Sequence, residues 1–166
     1  IDSRIYESIL ARLDGKGVLA VVDAEKDLLL NVLKFRPFLI KPNNHELGDM
    51  FGVALKTQDD IIRYAKRLQQ MGARNVLVSM AGDGALLLTE SGQAHQQGVA
   101  KGTVKNSVGA GDSMVAGFLA GYLENGDYAH ALRLGTAAGG ATAFSDGLGE
   151  KEDIMRLYKT LETSTI

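Results

Sequence analysis

Hydrophobic and polar residues recur along the chain with two different periods, which predict a succession of helices and strands. Apolar residues at helical spacing predict a helix, and a short continuous apolar run that ends in polar residues predicts a buried strand of the parallel type. The predicted helices are 5–13, 24–33, 45–51, 57–71, 112–123, 128–144 and 151–161. The predicted strands are 18–23, 38–43, 75–80, 85–89 and 93–99.

Turn and capping residues support this division. Thr57 and Asp60 form the pattern of a capping box at the start of a helix. The buried stripe of that helix is predicted to consist of Ile61, Ile62, Ala65, Leu68 and Met71. Residues 90–92 are typical of a hairpin turn between the last two strands. The order of these elements predicts an α/β domain with a mostly parallel sheet and one antiparallel edge hairpin.

Polar residues follow several predicted strands, at the sheet edge where ligands of such folds bind. In open parallel sheets, ligands lie outside the carboxyl ends of the strands. The polar positions there are Asp23, residues 43–46 and residues 79–84. These positions are therefore the first candidates for binding and chemistry.

Composition excludes several classes of protein. The 166 residues are 45% apolar, which is too high for a solvated disordered chain and suits one domain, 1–166. With 18 basic and 20 acidic residues, the chain shows no electrostatic footprint for nucleic acid or an anionic membrane. It has no cysteine, and therefore no disulfide framework, thiolate metal site or cysteine nucleophile. Its 20 glycines exceed the usual share of about 7%.

No membrane or secretory segment is predicted. The longest apolar run, 114–123, is shorter than the roughly 18 residues that a spanning helix needs. Residues 1–6 lack a basic region followed by an apolar core, and the chain is predicted to begin inside an amphipathic helix. We therefore expect a cytoplasmic protein.

The densest chemical signal is the run Gly109-Ala110-Gly111-Asp112 immediately before an apolar helix. Glycines allow a close approach of a ligand, and the backbone amides at a helix start form an anion site. A carboxylate beside such a site suggests a base that accepts a proton from a hydroxyl attacking phosphorus. From these residues alone, a glycine-rich turn with Asp112 as an ordinary helix cap remains an equal alternative.

Three motifs resemble those of the PfkB (ribokinase-like) carbohydrate kinases, in the family order. Residues 106–117 resemble the carboxy-terminal signature of the family. Residues 41–47 are similar to the N-x-x-E motif of the branch that acts on fructose 1-phosphate and tagatose 6-phosphate. Residues 78–85 resemble the S-x-G-x-x-G nucleotide loop, with Ala81 where glycine is common. The resemblance implies a ribokinase-like three-layer α/β/α fold.

The resemblance also implies roles for individual residues, with ATP and Mg²⁺ as cofactors. Asp112 would be the catalytic base, and the turn at Gly109 with the amides of Ala110, Gly111 and Asp112 would form the anion hole. Asn43 and Glu46 would help to hold magnesium. The residues implied to contact the nucleotide are Lys41, Ser79, Met80, Ala81, Gly82, Asp83, Gly84, Gly111, Asp112 and, beside the adenine, Gly139.

Each implied role has a structural alternative. Asn43 and Glu46 would equally cap the helix that follows, and Lys41 would equally be a solvated charge at a strand end. Residues 79–82 suit a simple β-turn, and residues 137–141 suit close helix packing, like the pair Gly117 and Gly121. The three histidines, His45, His95 and His130, lie in different elements, so a histidine metal site is not expected. The methionines are expected in the core, at Met50, Met71, Met80, Met114 and Met155.

The family chain is longer than this one, and the resemblance covers its carboxy-terminal half, without the sugar-binding half and lid. The implied reaction is ATP-dependent phosphorylation of a ketohexose phosphate, with D-fructose 1-phosphate to D-fructose 1,6-bisphosphate favoured. Tagatose 6-phosphate as substrate, or a non-catalytic nucleotide-binding module of the same fold, are the alternatives. The implied partners are a sugar phosphate and ATP, with a homodimer as an assembly of the full-length protein. The chain alone is expected to be inactive.

Overall fold

The computed structural model describes residues 4–24 and 26–166. Residues 1–3, part of the segment in which no secretory leader is predicted, lie outside the described residues, as does residue 25 within the predicted helix 24–33. The helices are α1 Arg4–Leu13, α2 Lys26–Val32, α3 Asn44–Phe51, α4 Gln58–Gln70, α5 Ala110–Asn125, α6 Tyr128–Ala143 and α7 Lys151–Thr160. Two short 3-10 helices are Leu33–Phe35 and Ala81–Asp83. The strands are β1 Val21–Val22, β2 Leu39–Ile40, β3 Asn75–Ser79, β4 Ala85–Leu88, β5 Ala94–Gln97 and β6 Thr163–Thr165.

The strands form a mixed sheet in the order β1-β2-β3-β4-β5-β6. Strand β2 is parallel to β1 and to β3, and Leu39 is in register with Val21 and with Asn75. Strands β5 and β6 are antiparallel, with Gln96 opposite Ser164. The predicted α/β fold with a parallel portion is therefore confirmed. The predicted hairpin is present, because β4 and β5 are neighbours and the Thr89 amide donates to the Gln93 carbonyl at 2.9 Å, but it is not the edge, since β6 lies beyond β5. Strand β6 was not predicted, because its Thr-Ser-Thr sequence carries no apolar pattern.

The described residues divide into two compact units. The first unit runs as far as Ser79 and includes Leu87–Ala94. The second unit contains Met80–Leu86 and His95–Ile166. Both contain part of β4 and part of β5.

The first unit buries the apolar faces of its helices and strands. Helix α4 begins with the predicted capping box, in which Thr57 accepts from the Asp60 amide at 3.1 Å and Asp60 accepts from the Thr57 amide at 3.1 Å. Asn75 ties neighbouring segments together, because its side chain donates to the Phe38 carbonyl and accepts from the Glu90 amide, both at 2.8 Å. Side chains with no exposed surface include Leu29, Val32, Leu39, Ile40, Leu47, Ala65, Leu68, Val76, Leu77 and Val78.

The predicted strand 18–23 is shorter in the structure. Backbone pairing with the next segment begins at Ala20, whose carbonyl accepts from the Phe38 amide at 2.8 Å. Val18 is 53% exposed and Leu19 is 44% exposed, so neither belongs to the core. The apolar run therefore extends beyond the hydrogen-bonded strand, which a pattern of hydrophobic residues does not detect.

Of the five methionines expected in the core, two are buried, two are exposed, and Met50 is half-buried. Met80 and Met114 are buried. Met71 is 45% exposed because it caps α4 and lies beyond its last turn. Met155 is 40% exposed, on the α7 surface away from the buried Leu157.

Helices α5 and α6 of the second unit pack through small residues. A Cβ at Gly117 would lie 2.7 Å from the Ala138 Cβ, and one at Gly121 would lie 2.9 Å from the Ala131 Cα. A Cβ at Gly135 would lie 2.7 Å from the Met114 carbonyl oxygen. These contacts confirm the predicted packing role of this glycine pair. Within the described ranges, none of the helices combines the length and the apolar character needed to cross a membrane.

We predict that Gly135→Ala destabilises the chain by about 1–3 kcal/mol, because the added methyl group meets backbone atoms that cannot move aside. This loss exceeds the gain in helix propensity of up to about 1 kcal/mol. Urea unfolding measures the change. Gly147→Ala, at a glycine with no atom within 4 Å of its added Cβ, is the matched control. A Gly135→Ala chain as stable as the wild type would contradict the proposed packing.

Burial lowers the pKa of His95 below the ordinary value of histidine, while Asp127 partly opposes this change. The unfolded chain therefore binds more protons near pH 6, and stability falls as the pH drops from about 6.5 through the lowered pKa of folded His95. We predict that His95→Gln removes this loss, whereas the exposed His45→Gln retains it. The measurement is the free energy of unfolding in urea between pH 5 and 8. Identical pH dependence in the wild type and His95→Gln would exclude His95 as its source.

Candidate functional site

The loop after β3 is a tight turn held by its own backbone. The Met80 amide donates to the Gly84 carbonyl at 2.8 Å, and the Gly84 amide donates to the Ala81 carbonyl at 3.2 Å. Gly84 has φ +89°, and a Cβ there would lie 2.1 Å from the Gln97 carbonyl oxygen. Only glycine therefore fits at the end of this turn.

Ala81 has φ +47°, a left-handed conformation that costs a residue with a Cβ about 1–2 kcal/mol. Glycine, the residue common at this position of the motif, would adopt this conformation without strain, so Ala81 is strained where the usual residue would not be. The next two residues, Gly82 and Asp83, are exposed, and a Cβ at Gly82 would have no atom within 4 Å. The outer surface of the turn is thus open backbone that a ligand can approach closely.

In the first unit, Asn43 and Glu46 form a complete capping box at the start of α3. The Asn43 Oδ1 accepts from the Glu46 amide, and Glu46 Oε2 accepts from the Asn43 amide, both at 2.8 Å. The capping alternative predicted for these residues is therefore confirmed. Asn43 also forms a parallel bridge with Ser79, whose amide donates to the Pro42 carbonyl at 3.2 Å. This bridge brings the segments that follow β2 and β3 together.

Capping leaves the pair capable of holding a magnesium ion. Glu46 Oε1 has no hydrogen-bond partner within the described part of the chain, and both side chains are half-buried. Mg²⁺ commonly takes one or two carboxylates and completes its octahedral shell with water and substrate phosphates. No group of three or more histidine, aspartate and glutamate ligands occurs among residues 4–24 and 26–166. The residues present fit a weakly protein-bound magnesium and not a cage of protein ligands.

Lys41 is not the solvated charge that its position at a strand end also suggested. Only 11% of its side chain is exposed, and its Nζ lies 3.1 Å from Asp23 Oδ2. Sequence reasoning placed Asp23 at the binding edge of the sheet but did not pair it with Lys41. The signal was present, because both residues directly follow neighbouring parallel strands.

In the second unit, helix α5 starts without a side-chain cap. Gly109 occupies the cap position with φ +78°. The Asp112 side chain is exposed and makes no hydrogen bond or ion pair with any described residue, so the interpretation of Asp112 as an ordinary cap is wrong. The carboxylate is therefore free to act on a ligand.

The amides at this helix start are only partly used. The Ala110 amide donates to the Ser107 carbonyl at 3.2 Å, and the Ser113 amide donates to the Gly109 carbonyl at 2.9 Å. The amides of Gly111 and Asp112 have no acceptor among the residues that the structure describes. Two adjacent unsatisfied donors at the positive end of a helix dipole are suited to bind an anion.

Contacts within the second unit fix this turn. The amides of Lys105 and Asn106 both donate to the Ala143 carbonyl, at 2.8 and 3.2 Å. Thr142 Oγ1 donates to Ser113 Oγ at 2.8 Å and accepts from the Gly149 amide at 2.9 Å. Sequence reasoning missed Thr142, because no local pattern links it to a residue 29 positions earlier.

Gly139 lies beside the first residue of α5. A Cβ at Gly139 would be 3.0 Å from the Ala110 carbonyl oxygen and 3.4 Å from the Met114 Cβ. Gly139 is buried, so its contact in this structure is with α5, as expected for a packing residue. Its implied position beside an adenine remains a prediction.

Within each unit, the predicted site residues form local groups. The first unit brings together Asn43, Glu46 and Ser79, and it pairs Lys41 with Asp23. The second unit holds the 80–84 turn and, separately, Gly139 against the turn from Gly109 to Asp112.

A profile of the pfkB family of carbohydrate kinases matches residues 5–155. The 1-phosphofructokinase of Bacillus subtilis is 44% identical over 161 residues, which are 97% of this chain and 53% of that protein. The D-tagatose-1-phosphate kinase of Bacillus licheniformis is 38% identical over 84% of this chain and 45% of its own length. A crystal structure from Staphylococcus aureus, provisionally named a phosphofructokinase, is 36% identical with a TM-score of 0.95 over 100% of this chain and 54% of its own. The chain thus spans about half the length of the curated relatives it matches.

We predict that Ala81→Gly stabilises the chain by about 0.5–1 kcal/mol. Glycine removes the strain of the positive φ, and this gain exceeds the loss that comes from the greater conformational entropy of glycine in the unfolded chain. Gly84→Ala should lose about 2–4 kcal/mol through backbone strain and the clash with Gln97. Gly82→Ala, in open space, should change stability by less than about 0.5 kcal/mol. Urea unfolding of the three variants provides the comparison. A destabilising Ala81→Gly would show that this turn is not strained.

Proposed function

Since the match of residues 5–155 shows that the chain belongs to the pfkB family of carbohydrate kinases, we propose that it carries the phosphate-donor and base functions of an ATP-dependent ketohexose phosphate kinase. One observation carries this proposal. Helix α5 starts without a side-chain cap, and its first turn holds an exposed Asp112 carboxylate and two unsatisfied backbone amides. The helix dipole alone would favour an acid in the first turn, but it does not account for two unsatisfied amides beside that acid, and phosphoryl transfer uses both features.

In the proposed reaction, Asp112 accepts the proton of the sugar hydroxyl as its oxygen attacks the γ-phosphorus. The free amides of Gly111 and Asp112 stabilise the charge on the transferring phosphoryl group. The Ala110 amide is engaged with the Ser107 carbonyl, so its contribution to the anion hole requires that this bond be released. Such a reaction depends mainly on positioning and charge stabilisation, and a weak base is sufficient.

The nucleotide and its metal are assigned to the remaining predicted residues. ATP supplies the phosphoryl group and Mg²⁺ neutralises charge on its phosphates. The exposed backbone of Ala81, Gly82 and Asp83 supports close approach of a nucleotide. The other residues of this loop assigned to the nucleotide are Ser79, Met80 and Gly84, of which the last two are buried. Asn43 and Glu46 would hold magnesium, and the Lys41 ammonium would face phosphate oxygens. Gly111, Asp112 and Gly139 complete the proposed nucleotide contacts.

We favour D-fructose 1-phosphate as the acceptor, with D-fructose 1,6-bisphosphate as the product. Several of the relatives are named 1-phosphofructokinase, including one that is 44% identical over nearly the whole chain. A tagatose phosphate is the second candidate, because two relatives are named D-tagatose-1-phosphate kinase. A non-catalytic nucleotide-binding module would have no use for the free Asp112 carboxylate.

The matched portion of the Bacillus subtilis 1-phosphofructokinase offers a direct test. We predict that a chimera in which this chain replaces that portion phosphorylates D-fructose 1-phosphate, whereas the chain alone does not. In the chimera, Asp112→Asn should lower kcat by about 10²- to 10⁴-fold with little change in nucleotide affinity, since the isosteric amide cannot accept the proton. A coupled assay of ADP release measures kcat.

Asp59→Asn is the matched control, because Asp59 is an exposed acid in the first turn of α4. It should retain the chimera's full rate. If Asp112→Asn also retained that rate, Asp112 would have no role as the base.

A further inference from the structure

Lys41 is a cation that the fold of the first unit almost completely encloses. Only 11% of its side chain is exposed. A lysine in such surroundings is rarely left unpaired, because an ammonium taken out of water needs a charged or polar partner. The Asp23 carboxylate, at 3.1 Å, is its ion-pair partner among the described residues.

The backbone places the two residues opposite each other. Asp23 follows β1 directly and Lys41 follows β2 directly, and the last residues of the two strands, Val22 and Ile40, are in register. The Lys41 amide extends this pairing by donating to the Val22 carbonyl at 3.4 Å. The ion pair thus lies at the carboxyl edge of two parallel strands, where ligands of such sheets bind.

The two partners differ in their access to water. The Asp23 side chain is 37% exposed and the Lys41 side chain is 11% exposed. Asp23 can therefore keep its second oxygen hydrated, while the ammonium retains donors that the single carboxylate contact does not use. A lysine stem has four rotatable bonds, and a fixed carboxylate selects one direction for its tip.

We propose that Asp23 is a positioning residue that holds the Lys41 ammonium in place to receive the phosphate oxygens of the nucleotide. The inference rests on the proposed function, which directs Lys41 to those phosphates. A carboxylate near a polyanion opposes binding by charge repulsion, so Asp23 would weaken nucleotide binding if it did nothing else. Loss of its hold on Lys41 must therefore outweigh the repulsion that is relieved when Asp23 is replaced.

The test combines two measurements on this chain, with Mg·ATP as the probe. Calorimetry gives the Kd for Mg·ATP, and nitrogen-15 NMR of lysine ammonium groups reports whether Lys41 is held. We expect Asp23→Asn and Asp23→Ala to lose or shift the Lys41 ammonium signal and to raise the Kd about tenfold. Asp23→Glu, which restores a carboxylate, should recover part of the affinity. Asn is nearly isosteric with Asp, so Asp23→Asn keeps the test valid if Asp23→Ala unfolds.

Glu7→Gln is the matched control, because it removes the carboxylate of another lysine pair, Lys34–Glu7, in which the lysine side chain is 61% exposed. It should leave the Kd unchanged. An unchanged or lower Kd in Asp23→Asn, or an unchanged Lys41 signal, would overturn the inference. Failure of the proposed function would give a different result. The wild-type chain would then not bind Mg·ATP, although replacement of Asp23 would still alter the Lys41 signal. In that case the positioning role is rejected together with the proposed function.

Discussion

The close backbone approach of α5 and α6 is the constraint on which the second unit depends. At Gly135 and Gly139, a Cβ would meet the carbonyl oxygens of Met114 and Ala110, at 2.7 and 3.0 Å. These oxygens belong to the helix backbone, so the packing requires glycine at Gly135 and leaves very little room for a side chain at Gly139. The Gly139 contact falls on the first residue of α5. The same packing that stabilises the helix pair therefore also fixes the turn that carries Asp112, two residues later.

The backbone of that turn is fixed by packing, but two of its amides have no hydrogen-bond acceptor among the described residues. Helices α3, α4 and α6 begin with the side-chain caps Asn43, Thr57 and Asp127, each of which satisfies backbone donors. Helix α5 begins with Gly109 and has no such cap, and neither has α7, which begins after Glu150. Glycine at the cap position is less stable than a capping side chain by only about a few tenths of a kcal/mol, so α5 forgoes a small amount of local stability at its start. A bound anion would restore the missing interactions, which connects the absence of a cap to the proposed binding of phosphate.

Local sequence patterns predicted most of the fold, and contacts between distant segments account for what they missed. The Thr57–Asp60 capping box and the α5–α6 packing follow from residues whose spacing carries the signal. Strand β6 has no such pattern, because its position depends on pairing with β5, which is about 70 residues earlier. The site shows the same division. Sequence motifs located the candidate residues, but the Lys41–Asp23 pair and the free Asp112 carboxylate are properties of three-dimensional arrangement.

Asn43 and Glu46 show that a structural role and a proposed metal role need not compete. The capping box uses one oxygen of each side chain and binds it to the other residue's amide. This reciprocal contact fixes both side chains before any ion arrives, and Glu46 Oε1 remains without a partner among the described residues. Ligands that are already oriented lose less conformational freedom when a metal binds. A capping box at the end of a strand is thus a means of holding a carboxylate ready, and its presence strengthens the case that Glu46 approaches magnesium.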